Sequence, residues 1–157
     1  MTGRIDGMGV LFGYYAAADD EDAARAVVRE DGQPPTGAGY DELVVKGMDP
    51  VLDLLPAEAL FTGRSADAVE ADPRHGHLVA MAEGGQVVSL SLTDSFRDSL
   101  ARCDRDRLDD VARDWSASGV FDAEADLSKI AGFLKDLAAL AERASTRGHR
   151  LYCRISA

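Results

Sequence analysis

The chain has 157 residues, 46% of them hydrophobic, and its 28 acidic residues outnumber 17 basic ones to give a formal net charge of −11. This length and composition predict one globular domain over residues 8–157, with residues 1–7 as a disordered lead-in. The negative charge argues against binding to nucleic acids or to anionic membranes. No apolar run reaches the ~20 residues that span a bilayer.

The cysteine content and the N-terminus both favour a cytoplasmic protein. Cys103 and Cys153 are the two cysteines, the chain has no asparagine that could carry an N-linked glycan, and no signal peptide is readable before the first apolar stretch. We therefore expect both thiols to be reduced.

The first half of the chain predicts a strand, a helix and a long loop. Residues 9–17 are rich in β-branched and aromatic types that favour a strand. Four acidic residues, Asp19 to Asp22, then precede an alanine-rich stretch, which is typical of a helix start, although an acidic site is the alternative. Residues 30–40 form a loop with five glycines and prolines, and Asp49-Pro50 predicts the start of a short helix.

A β-hairpin is predicted around Gly84-Gly85, because such a pair adopts the positive φ values of tight turns. Its strands would be Leu78–Ala82 and Gln86–Leu92. In the second strand we expect Val88, Leu90 and Leu92 to face the core, and Ser89 and Ser91 to face solvent.

The second half predicts three helices and a final strand. Thr93 would cap the first helix, Trp115 would pack into the core from the second, and the third would cover residues 125–146. The strand over residues 149–155 would direct Leu151, Cys153 and Ile155 inward, and Arg150, Tyr152 and Arg154 outward. Because strands and helices do not strictly alternate, we expect an α+β fold, with one small mixed or antiparallel sheet covered by helices.

Three segments resemble the YfbM-like family, a group of small bacterial proteins of unknown function. Met8 to Tyr15 is similar to the family's opening Met-Gly, apolar run and Gly-aromatic pair. Val45 to Met48, continuing to Leu60-Phe61-Thr62-Gly63, resembles its Asp-Lys-x-Trp stretch and later Leu-Thr-Gly. The third segment is the long helix that leads into Gly148 to Leu151 and ends at Ile155. The resemblance implies a shared fold and brings no activity with it. Val45 and Met48 replace the Asp and Trp of the family's central motif.

His75 and His77 are the candidate metal ligands, because imidazole nitrogens and nearby carboxylates bind zinc and similar ions. Their alternative role is as ordinary surface histidines in a loop before a strand, since the spacing fixes no third ligand.

One hypothesis for the function, ranked second to the hypothesis given in the next paragraph, is a small-ligand or enzyme site between the loop at residues 30–40 and the first strand. Its candidate ligand-binding residues are Tyr14, Tyr15 and Tyr40. Such a site requires a concave pocket.

No catalytic residue and no cofactor is predicted, since the chain lacks the P-loop, dinucleotide, zinc-protease and nucleophile-elbow motifs. Cys103 lies on the apolar face of its helix, which favours an inert thiol. The leading hypothesis is therefore a small non-catalytic binding or interaction protein whose acidic surface suits a basic protein partner, for example as an immunity or inhibitor protein. The third is self-association through the terminal strand or a helix face.

Overall fold

A computed structural model of the chain describes residues 10–27, 40–121 and 126–156. This part contains five strands and six helices, in the order β1 Leu11–Ala17, α1 Asp20–Arg25, β2 Glu42–Lys46, α2 Leu55–Thr62, α3 Ala66–Glu70, β3 Leu78–Ala82, β4 Val87–Ser91, α4 Asp94–Arg102, α5 Arg105–Ser116, α6 Leu127–Thr146 and β5 Arg150–Ser156. The expected lead-in at residues 1–7 and most of the loop at residues 30–40 lie outside the described residues.

The five strands form one antiparallel sheet in the order β2-β1-β5-β4-β3. The last strand lies in the centre, where β5 pairs with β1 on one side and with β4 on the other. The α+β prediction is confirmed, including the long helix followed by a final strand. Because both edges of β5 are occupied, self-association through the terminal strand was a wrong expectation.

One face of the sheet is covered by α6 and the helices around it. Tyr14 and Leu151 project from β1 and β5 into a core that also contains Phe133 and Leu137 of α6. Trp115 of α5 is fully buried there, as predicted, and its indole Nε1 donates to the Asp53 carbonyl at 2.8 Å. This core contains most of the buried apolar side chains.

The opposite face of the sheet is also covered, so Ser89, Ser91 and Tyr152, which were predicted to face solvent, are buried. The inward direction predicted for Leu92, Leu151 and Cys153 is confirmed. Tyr15, Ala23 and Tyr152 form a second buried cluster between the sheet and α1. Ser89 and Ser91 are buried on this face, whereas Val88 and Leu90 are only partly buried on the other. The physical reason is that α1 packs against β1, β3 and β4 and excludes water from side chains that a one-sided sheet would expose.

The helix starts follow the predicted capping chemistry at most positions. Thr93 caps α4 by accepting from the Phe96 amide, and Asp104 caps α5 by accepting from the Arg107 amide. Asp49 accepts from the Val51 and Leu52 amides, but residues 50–53 form only a turn, and the helix begins at Leu55.

The hairpin prediction is confirmed, with Gly84 and Gly85 at φ 67° and 95° in the connection between β3 and β4. The edge strand β2 and the short helix α3 were not predicted. Among the described residues, no helix combines the length and the apolar character needed to cross a bilayer.

Candidate functional site

The three candidate tyrosines do not converge on one pocket. Tyr14 and Tyr15 are neighbours on β1, so their side chains lie on opposite faces of the sheet. The Tyr14 hydroxyl donates to the Met48 carbonyl, and burial raises its pKa well above the usual value. A ligand that contacted Tyr14 could not also contact Tyr15 without crossing the sheet.

Tyr15 and Tyr40 do meet, with ring centroids 5.9 Å apart in an edge-to-face arrangement. The Tyr15 hydroxyl lies 2.8 Å from the Ala23 carbonyl and 2.7 Å from Ser89 Oγ, and the Tyr40 hydroxyl donates to the Asp22 carbonyl at 3.0 Å. Burial raises the pKa of both phenols, so they stay neutral and bonded within the chain. Their shared role is to pack the second core cluster.

His75 and His77 have different environments. The imidazole of His75 is 7% exposed, whereas His77 is exposed at the surface before β3. Among the residues that the structure describes, no group of three or more His, Cys, Asp or Glu side chains is arranged to hold a metal ion. Metal binding by this histidine pair stays a prediction that solution measurements must test.

His75 instead faces Glu58, a buried carboxyl group that the sequence analysis missed. His75 Nδ1 lies 3.9 Å from Glu58 Oε1, and the Thr93 hydroxyl donates to Glu58 Oε2 at 2.5 Å. The carboxyl group is 2% exposed. These three side chains come from α2, the turn before β3 and the cap of α4, so no local sequence motif identifies them as a group.

Burial acts on both members of this pair in the direction that favours the neutral form. It raises the pKa of Glu58, against the hydrogen bond from Thr93, and it lowers the pKa of His75. His75 Nε2 is also buried and has no hydrogen-bond partner among the described residues. Because that nitrogen is enclosed, the pair cannot reach a substrate in this conformation, and it connects three elements instead.

A charged network lies on the α1 side of the sheet. Arg74 pairs with Asp20 at 3.0 Å, and the Tyr152 hydroxyl donates to the same carboxylate at 2.8 Å. These contacts lower the pKa of Asp20, the Arg74 hydrogen bond having the largest effect. The Arg74 amide also donates to Asp72 Oδ1 at 2.9 Å, which joins α1 to the turn after α3.

Arg74 thus links two groups of acidic residues, which are here called together the acidic surface. We define it as Asp19–Asp22 at the start of α1 together with Asp67, Glu70 and Asp72. The arginines within it are held by its own carboxylates: Arg25 by Asp22, Arg64 by Asp72 and Arg74 by Asp20. Glu21, Asp67 and Glu70 remain exposed, so this surface is net negative.

A cleft of about 280 Å³ lies between α5 and α6. It is lined by Arg105, Leu108, Asp109, Ala131, Gly132 and Lys135. None of these residues was a sequence-predicted site residue. The cleft could not be found from the sequence because it depends on how two helices, separated along the chain, pack against each other.

The thiols are poor nucleophiles. Cys153 is fully buried in β5 and Cys103 is partly buried after α4, and burial raises the pKa of each thiol. A thiol that stays protonated neither attacks an electrophile nor binds a metal readily.

Comparison of the chain with protein-family models, with curated proteins and with solved structures found no match.

Proposed function

We propose that this chain is a non-catalytic cytoplasmic protein whose acidic surface binds a basic partner protein, as an inhibitor or immunity protein would. The main support for the proposal is that many arginines are paired with carboxylates of the same chain, while the chain has many more carboxylates than these arginines can neutralise. Within the part of the chain that the structure describes, eight arginines are paired with carboxylates, namely Arg25, Arg64, Arg74, Arg97, Arg113, Arg143, Arg150 and Arg154. The excess carboxylates therefore determine the outward field of a chain with net charge −11.

Several carboxylates already have structural roles as helix caps, which narrows the choice of binding residues. Asp19 accepts from the Asp22 amide and Asp22 accepts from the Ala18 amide. Glu21, Asp67 and Glu70 have no such backbone bond among the described residues, and Glu21 has only a 3.6 Å ion pair with the exposed Arg25. Exposed pairs of this kind contribute little to stability. Within the acidic surface, these three carboxylates are thus the ones available to a partner's lysines and arginines.

The same charge argues against nucleic acid as the partner, because phosphate groups would meet a negative field. The YfbM-like resemblance is compatible with this proposal and adds no activity to it. A solved member of that family with the strand order β2-β1-β5-β4-β3 would support the relationship, and a different strand order would contradict it.

The test is affinity capture from a bacterial lysate at about 20 mM salt, where charge-driven association is strongest. The bait is the full chain, compared with a surface variant, Glu21→Gln/Asp67→Asn/Glu70→Gln. The control variant, Asp106→Asn/Asp114→Asn/Asp136→Asn, removes the same charge from exposed positions of α5 and α6. The proposal expects a basic protein that the wild type and the control retain and that the surface variant loses. A wild type that retains no basic protein, or a surface variant that binds it equally, would overturn the proposal.

A further inference from the structure

The cleft between α5 and α6 exists because α6 has two small residues where its surface meets α5. Leu108 of α5 is buried at the base of the cleft, and Ala131 and Gly132 of α6 line it. Leucine or another large residue at position 132 would fill this space. The cleft is therefore a direct consequence of the residue at one helix position.

Gly132 is an unfavourable choice for the helix itself. Glycine in a helix interior destabilises a protein by about 0.5–1 kcal/mol relative to alanine. A close neighbour would explain it, but apart from adjacent residues and the local helix backbone, no described atom lies within 4 Å of the position that a Cβ would occupy. The packing of the described chain thus does not require glycine here, whereas a molecule that approaches the helix backbone from outside would.

Two cations line the cleft, Arg105 from α5 and Lys135 from α6, and both are exposed. Neither forms an ion pair with a described residue, a property that they share with Lys46, Arg102, Lys129 and Arg147. What distinguishes Arg105 and Lys135 is that both border the same cleft. Asp109 is the carboxylate among the lining residues, so the described lining carries a net charge of one positive unit.

We propose that this cleft binds a small monocarboxylate with a short apolar tail. The guanidinium of Arg105 and the ammonium of Lys135 are the donors for the carboxylate, because charged donors form stronger hydrogen bonds to anions than neutral ones do. The tail lies on Leu108 and Ala131, and the 280 Å³ volume limits it to a few carbon atoms. A single negative charge matches the net charge of the lining, and the apolar base distinguishes such a ligand from inorganic phosphate.

The experiment titrates the ¹⁵N-labelled full chain with three probes: 4-methylpentanoate, its neutral analogue 4-methylpentanamide, and inorganic phosphate. The expected result is saturable movement of amide signals from residues 105–109 and 131–135 with the carboxylate. Because loss of the charge removes a charge-assisted interaction, the amide should bind at least about tenfold more weakly. Phosphate should give no saturable change at these residues.

Variants separate the cleft from general charge. Gly132→Leu should fill the cleft and abolish binding while the protein melts no lower than the wild type, since leucine favours a helix more than glycine does. Arg105→Gln and Lys135→Gln should each weaken binding by about tenfold. Arg102→Gln and Lys129→Gln make the same charge change outside the cleft lining and should leave the affinity for the carboxylate unaltered.

Four results would overturn the proposal: no saturable change in α5 and α6, equal binding of the neutral amide, equal binding of phosphate, or full affinity in a folded Gly132→Leu protein. None of these results affects the basic-partner proposal, which concerns a different surface.

Discussion

Glu58 is a buried carboxyl group whose surroundings disfavour its ionised form. It is buried beside His75, the Thr93 hydroxyl donates to it, and Arg64 and Asp72 act on its charge with opposite signs. Its raised pKa means that the folded state holds the proton to higher pH than the unfolded state does. Stability from this group is therefore complete below the unfolded-state pKa and falls as pH rises through the folded-state pKa.

Glu58→Gln should stabilise the protein at neutral pH, because glutamine accepts the Thr93 hydrogen bond without ionising. The advantage over the wild type should be smallest near about pH 4 and should grow toward about pH 8. Urea denaturation of both proteins across this range measures it. An advantage that shrinks with rising pH would contradict the assignment of a raised pKa to Glu58.

Thr93 has two bonding roles, since its oxygen caps α4 and its hydroxyl hydrogen goes to Glu58. Thr93→Ala removes both and should lower the free energy of unfolding by about 2 kcal/mol or more. Thr93→Ser keeps the oxygen and should lose much less. Equal losses in the two variants, measured by chemical denaturation, would show that the methyl packing matters more than the hydrogen bonds.

At the scale of elements, two glycines with open surroundings should respond oppositely to alanine. Apart from adjacent residues and local helix backbone, no described atom lies within 4 Å of a Cβ built at Gly132 or at Gly63, but Gly63 ends α2 at φ 72°. Gly132→Ala should raise the free energy of unfolding by up to about 1 kcal/mol, and Gly63→Ala should lower it by about 1–2 kcal/mol. Thermal melts compare the stabilities of the two variants. A destabilised Gly132→Ala protein would contradict the expectation that the space around residue 132 is open.

The elements that could be predicted from the sequence are those with strong local signals. The apolar stripe of α6, the Thr93 cap and the glycine pair of the hairpin each act within a few residues, and each prediction is confirmed. The predicted sides of β4 and β5 are correct, but the solvent exposure predicted for the second side was wrong, because alternation identifies two faces without showing that α1 covers the second one. Ser89 and Tyr152 are buried by that long-range packing.

The candidate sites were less predictable than the elements, for the same reason. Glu58 and His75 lie far apart in the sequence, and neither has a recognisable motif around it. The α5–α6 cleft depends on Gly132, which in the sequence is an ordinary glycine within a helical pattern. Tyr14 and Tyr15 were adjacent candidates that a strand necessarily separates.

At the scale of the whole molecule, the proposed binding depends on charge distribution more than on any single residue. Many arginines are paired with carboxylates of the same chain, whereas Glu21, Asp67 and Glu70 are exposed carboxylates that contribute to a negative outward field. A partner that uses this field should associate faster at low ionic strength, since screening at about 0.1 M salt limits the field to about 10 Å.

The most direct test is amide-signal mapping of the ¹⁵N-labelled chain during titration with the basic protein recovered by capture. We expect the signals that move to belong to residues 19–25 and 64–74, and we expect no such movement in the Glu21→Gln/Asp67→Asn/Glu70→Gln protein at the same concentrations. Movement confined to α5 and α6, or to the β2 edge, with the acidic surface unaffected, would contradict the central claim.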